Sequence, residues 1–169
     1  SAALALFISL VVMGLRFRAY LNGRHLEQQV EIARQVQQDL LPAPRQQLRN
    51  AEYAAECVPA WGVGGDFHDA FPVDGGGLAV VLGDVSGKGI PAALLMGVIH
   101  GAVRSSSWAE SPWRHEECSR KLNQLLCEHA SGARYASMFW SYYSPDSGSL
   151  HYFNAGHCPP LLVQTRHGH

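Results

Sequence analysis

Residues 64–96 read GGDFHDAFPVDGGGLAVVLGDVSGKGIPAALLM, and the order of residue types in this stretch sets the fold. Asp74-Gly75-Gly76-Gly77 is a turn signal between two strand-like runs, residues 67–73 and 78–83. Folding the hairpin about Gly75 pairs residues whose numbers sum to about 150, which sets Asp66 opposite Asp84. Two carboxylates far apart in the chain thus meet at the open end of one hairpin, beside a glycine-rich turn. With little positive charge nearby they repel one another, and holding them together is costly unless a cation sits between them. The pattern reads as half of a divalent-metal site.

Outward from the hairpin, residues 78–82 are apolar on both faces, which predicts a central strand covered on both sides. Gly83-Asp84-Val85-Ser86-Gly87-Lys88-Gly89 is no Walker loop: its spacing is one residue short, and Gly89 stands where the magnesium-binding hydroxyl would be. The glycines instead leave Asp84 at a strand end and let backbone carbonyls approach a ligand. Lys88 and the start of the next helix could attract an anion nearby, although a solvated lysine is the plainer reading. Pro91 suits the first turn of a helix over residues 91–107, with Ala92, Leu95, Met96, Ile99, Ala102 and Val103 as its buried stripe. A second helix follows Ser111-Pro112, turning Cys118, Leu122, Leu125 and Leu126 inward. Strands are predicted over 136–143 and 150–154, and another from Pro160 to Val163; residues 52–59 alternate loosely. Antiparallel strands with two helices between them give an α+β fold of layered sheets flanked by helices.

Composition narrows the function. Thirteen Lys and Arg against fourteen Asp and Glu leave a net charge of −1, and the basic residues are scattered apart from Arg16, Arg18 and Arg24, so nothing points to nucleic acid. Cys57, Cys118, Cys127 and Cys158 form no CxxC pair and no disulfide framework, a pattern that fits reduced thiols in the cytoplasm. His167 and His169 form a polar tail able to bind metal adventitiously.

The N-terminal part is different in kind. Residues 2–15 are apolar and uncharged, covering about 21 Å of a hydrocarbon layer about 30 Å thick, so they read as the C-terminal part of a transmembrane helix whose start lies upstream, with a signal-peptide apolar region or a buried helix as the alternatives. Arg16, Phe17, Arg18 and Tyr20 make the flank usual on the cytoplasmic side, which places everything downstream inside the cell. A polar helix follows over 21–41, with Leu26, Val30, Ala33 and Leu40 at three- and four-residue steps, ended by Pro42 and Pro44. It reads either as a signalling helix that pairs with its twin in a homodimer or as a solvated connector. Residues 1–15, 16–45 and 46–169 are therefore expected to be membrane remnant, linker helix and a catalytic-type domain cut short at its C-terminal side.

Three stretches together carry a resemblance: Gly64-Gly65-Asp66-Phe67-His68-Asp69, the run 83–96, and Asn154-Ala155-Gly156-His157-Cys158-Pro159-Pro160. They resemble the signature motifs of bacterial SpoIIE-like (RsbU-type) serine phosphatases of the metal-dependent protein phosphatase 2C (PPM) superfamily, and Gln37–Pro42, QQDLLP, resembles the helix that leads into such domains. The resemblance spans about residues 30–163 and implies an αββα sandwich of two antiparallel sheets with two Mn²⁺ or Mg²⁺ ions at one end. It implies that Asp66 and Asp84 are catalytic, metal-coordinating carboxylates and that the Val85 carbonyl is a further ligand. Oxygen-only ligands favour Mn²⁺ or Mg²⁺ over Zn²⁺. The metals would activate a water for in-line attack on phosphorus, with no phosphoenzyme.

The chain also departs from the pattern. The family's remaining metal aspartates lie in later stretches beyond residue 169, and the histidine that eukaryotic relatives carry two residues after the central aspartate is Ser86 here. His68 stands where tyrosine is common and is assigned no ligand role. Asp69 alternates away from Asp66 and is expected to support the site, and Asn154 and His157 to brace the loop before Pro159-Pro160. The implied activity is hydrolysis of phosphoserine or phosphothreonine on a regulatory protein, a phosphorylated anti-sigma-factor antagonist of STAS type. Two alternatives stand beside it: a catalytically inactive phosphoprotein-binding module of the same fold, and a small-molecule phosphohydrolase.

Overall fold

In the computed structural model, which describes residues 2–47, 51–59, 62–73, 76–105, 115–129 and 134–163, the hairpin forms in the register that its turn requires. After α1 (Ala2–Leu40) and two short strands, β1 (Arg45–Gln47) and β2 (Glu52–Ala54), comes β3 (Phe67–Val73), antiparallel to β4 (Gly77–Val85). Their partners run from Phe67↔Gly83 to Val73↔Gly77, each pair summing to 150. The next elements are α2 (Ile90–Arg104), α3 (His115–His129), β5 (Ala136–Ser144) and β6 (Ser149–Ala155). The strands form one four-stranded antiparallel sheet in the order β3-β4-β5-β6, and β1 pairs with β2 separately.

Strand periodicity divides the sheet into two unlike faces. Phe67, Phe71, Ala79, Val81, Val85, Met138 and Trp140 point to one side, where Leu95, Met96, Ile99 and Val103 of α2 and Leu122 of α3 close the core. Trp140 stacks on Phe153, its register partner, with ring centroids 4.9 Å apart. Burying each such aliphatic side chain is worth about 1.5–3 kcal/mol, which exceeds any helix-propensity term and holds α2 on the sheet. The other face is more open: Leu82, Leu150 and Tyr152 are 39%, 51% and 59% exposed. Near β3 it is covered by Tyr53 of β2, whose ring lies 6.4 Å from His68.

The fold is thus α+β, with one four-stranded antiparallel sheet, three helices among the described residues and a long N-terminal helix. Three expectations change in detail. β4 is central but fully covered on one face only. The apolar and polar N-terminal segments are one uninterrupted helix, α1, rather than two. Residues 160–163 form no strand: Leu161, Leu162 and Val163 are 93%, 83% and 80% exposed. Two adjacent prolines remove the donors that would start a ladder there. The turn residues Asp74 and Gly75, and the tail with His167 and His169, lie outside the described residues.

Candidate metal-binding end of the sheet

The β3–β4 ladder closes at Phe67↔Gly83, so Asp66 and Asp84 are the next facing pair and project from the open face. Their carboxyls come within hydrogen-bonding reach. Asp66 is held above the usual carboxylate range, first by desolvation among protein atoms, then by the Asp84 charge and the hydrogen bond between the two; the His157 ring pulls it back down. Gly65 makes this approach possible, because a Cβ there would collide with the Val85 carbonyl oxygen, and the Val85 N–H donates to Gly65 O at 3.2 Å. Gly87 and Gly89 turn the chain into α2 with φ of 108° and 69°, values that favour glycine.

The neighbours of Asp84 are fixed by backbone pairing. Ser86 N donates to Tyr135 O at 2.8 Å, and Ser86 Oγ accepts from Tyr135 N at 2.9 Å. Ser86 therefore ties the end of β4 to the chain entering β5. Lys88 is exposed. Across the sheet, Asp84 faces Ser137 of β5, and Ser137 Oγ lies 3.0 Å from His157 Nδ1. Asn154 clamps the backbone of the same loop: its Oδ1 accepts from His157 N at 2.8 Å and its Nδ2 donates to His157 O at 3.0 Å. The expected brace is therefore the Asn154 side chain acting on the His157 main chain, while the imidazole turns to Ser137.

Asp69 lies on the helix-facing side, as its odd separation from Asp66 requires. It is fully buried and accepts from Arg104 Nε at 2.6 Å and Nη2 at 2.8 Å, with His100 Nε2 at 2.8 Å. Burial alone would raise its carboxyl, but the bonds from His100 and Arg104 outweigh that and hold it below the usual range. Arg104 also lies over the Phe71 ring at 4.7 Å, and His100 meets Phe67 edge-on at 5.9 Å. Asp69 thus anchors β3 to α2 and stays apart from the Asp66–Asp84 pair.

Four contributors escaped the sequence reading. His100 and Arg104, four apart on α2, share the face that meets the sheet, but a histidine inside an apolar stripe does not announce a carboxylate partner 31 residues away. Gln37 is buried on α1 and makes a reciprocal pair with Gly64, Nε2 donating to Gly64 O at 2.7 Å and Oε1 accepting from Gly64 N at 3.1 Å. Ser137 had no signal beyond its register. Cys57, half-buried, sits with Sγ 3.8 Å from Asp66 O, and its thiol is pushed up by burial first and by the Asp66 charge second.

The chemistry of the pair fits a divalent cation. All the donors offered by the pair are oxygens, the ligand type that hard divalent cations take. Among the described residues, no group of three or more His, Cys, Asp or Glu side chains gathers in one place.

Comparison with known proteins gives three results. The family described as Stage II sporulation protein E (SpoIIE) matches residues 74–169. Protein IcfG of Synechocystis sp. is 30% identical over a match covering 81% of this chain and 26% of that protein, and the phosphoserine phosphatase RsbU of Bacillus subtilis is 30% identical, covering 85% and 42%. The crystal structure of the RsbU and RsbW domains of Rv1364c from Mycobacterium tuberculosis matches 61% of this chain and 27% of that one, at 29% identity and a TM-score of 0.48. The chain spans between a quarter and just over two-fifths of the length of these relatives.

Proposed function

Because this chain belongs to the SpoIIE family, we propose that it is the membrane-linked phosphatase part of a signalling protein, hydrolysing phosphoserine or phosphothreonine on a regulatory protein of STAS type. The observation that carries the reading is the convergence of Asp66 and Asp84 at the open end of the sheet. The 30% identity to a phosphoserine phosphatase supports it.

On this reading Asp66, Asp84 and the Val85 carbonyl hold two Mn²⁺ or Mg²⁺ ions together with ligands from outside residues 1–169. Such ions supply charge neutralisation at the phosphoryl group and an activated water. The chain's own part is positional. Gly65 lets β3 and β4 close until the carboxylates face each other, and Ser86 locks the end of β4 through Tyr135. Leu82, Leu150 and Tyr152 are then the inner face of the two-sheet sandwich, covered by a second sheet. α1 would hold the domain at the cytoplasmic face of the inner membrane, and its linker part would carry a signal by changing its packing in a homodimer. Deleting residues 16–29, short of the docked stretch that carries Gln37, should then abolish regulation while leaving basal turnover.

The test is Mn²⁺-dependent release of phosphate from a phosphoserine STAS protein by the full-length protein, with Asp84→Asn beside it. Activity that needs metal and is lost in the variant is the expected result. Well-folded, metal-loaded protein that binds the phosphoprotein without hydrolysing it would replace this reading with the binding module.

A further inference from the structure

We propose that His157 contacts the phosphoryl group of the substrate, donating a hydrogen bond from Nε2 to one of its oxygens; the inference rests on the phosphoryl-binding reading above. The placement follows from register. Asp66 is the next pair position beside Asp84, Asp84 faces Ser137, and Ser137 Oγ holds His157 Nδ1 at 3.0 Å. Residues facing each other across an antiparallel pair share one face, with Cβ atoms about 5 Å apart, so the carboxylates, the hydroxyl and the imidazole form a row along one end of the open face.

The backbone that carries the ring is restrained twice. The Asn154 amide grips the backbone of residue 157 on both its N–H and its C=O, at 2.8 Å and 3.0 Å. A bridge between Met138 and Gly156, where φ is +72°, brings this loop back against β5. With Nδ1 taken by Ser137, Nε2 is the remaining polar atom of the ring, and it has no hydrogen-bond partner among the described residues. Nε2 is not among the buried unpartnered atoms, so it is open to solvent and can exchange water for a ligand while Ser137 holds the other side of the ring. The ligand must be anionic to gain from this donor, and it must be able to sit beside two carboxylates, which a metal-neutralised phosphoryl group can do.

The measurement uses the full-length protein loaded with Mn²⁺ and two readouts: binding of inorganic phosphate by calorimetry, and turnover of a phosphoserine protein. His157→Ala should weaken phosphate binding about 10-fold or more and lower kcat/KM by a comparable factor. His157→Gln, whose side-chain amide reaches a similar position, should recover part of both. Mn²⁺ affinity measured without phosphate, and the melting temperature, should stay near those of the wild type, since Asn154 holds the backbone rather than the ring. Ser137→Ala, which frees the ring, should weaken phosphate binding less than His157→Ala. Phosphate binding by His157→Ala within about twofold of the wild type would overturn the proposal. So would a parallel loss of Mn²⁺ affinity, which would make the imidazole a metal ligand. If the wild type binds phosphate but releases none from the phosphoprotein, the enzymatic reading fails, and the calorimetric comparison still decides the role of His157.

Discussion

Asp66, just before β3, and Asp69, within it, are three residues apart and have opposite electrostatic fates. Asp66, on the open face, is raised by desolvation and by Asp84; Asp69, on the helix side, is lowered by its net of bonds with His100 and Arg104. Strand alternation made this division readable, but only the fold supplied Asp69 with its partners. Removing one member of a buried pair costs about 3–5 kcal/mol, and Arg104, whose side chain is 45% exposed, can turn to water. Asp69→Asn should therefore destabilise by about 3 kcal/mol, at the lower end of that range, measured by urea unfolding at neutral pH. A carboxyl whose folded pKa is depressed contributes stability above its unfolded pKa of about 3.9 and loses it as the pH falls through the lower folded value. The gap between wild type and Asp69→Asn should accordingly be full near pH 6 and shrink below about pH 4. Tyr53 offers the converse case. Its hydroxyl is buried without a hydrogen-bond partner among the described residues, and desolvation, then the Asp69 charge, push the phenol up to about 12. Tyr53→Phe removes an unsatisfied group while keeping the ring on His68, and should leave stability unchanged or raise it by about 1 kcal/mol.

Elements differ in how plainly the sequence announces them. α2 was legible because its stripe repeats at three and four residues and Pro91 marks its first turn; five of the six residues expected to face inward are buried and Ala102 is half-buried. β3 and β4 were legible because a turn signal separated two short apolar runs. β1 escaped notice since Arg45-Gln46-Gln47 has neither alternation nor branched side chains, and it exists only because β2 pairs with it. α1 shows a third situation, in which the helix was evident and its docking was not. Val30, Ala33 and Leu41 are half-buried and Gln37 is buried, while Leu26 and Leu40 are 59% and 41% exposed. Part of the apolar stripe thus faces the chain's own domain, and Gln37 grips Gly64, two residues before Asp66. A lone polar residue on that stripe has no pattern to reveal it, because its partner is a backbone unit 27 residues away. Gln37→Ala leaves the Gly64 N–H and C=O without those partners and should cost about 1–2 kcal/mol. The same change should speed hydrogen exchange at the Gly64 amide while amides in β4 and β5 keep their protection, which separates loosened docking from global unfolding.

At the scale of the whole molecule, the four-stranded sheet has one face closed by helices and one that stays more open. The helix-backed face could be read from sequence because local periodicity determines which residues turn inward. The extent of cover over Leu82, Leu150 and Tyr152 could not, since strand alternation predicts a face and not the element that lies against it. The N-terminal helix poses the same question toward a different solvent. α1 is 39 residues long, and its apolar window is long and hydrophobic enough to cross a membrane, with none of that window buried. Leu4, Leu6, Phe7, Leu10, Met13 and Leu15 are each more than half exposed, and no protein surface in the chain offers them cover among the described residues. Transferring several such side chains into hydrocarbon gains about 1.5–3 kcal/mol each, more than the loss of rotational freedom at a surface. A charge at the centre of such a segment costs about 2.5–3.5 kcal/mol per residue. Replacing Ile8 and Val11 with arginine should therefore shift the protein from an alkali-resistant membrane fraction to the soluble one, whereas the same pair of changes at Ile32 and Val36, in the linker part of α1, should leave the distribution as it was. If the Ile8 and Val11 variant stays membrane-bound through alkaline extraction, the anchor is not α1. If the wild type is already soluble, the apolar half of α1 must be covered by protein instead.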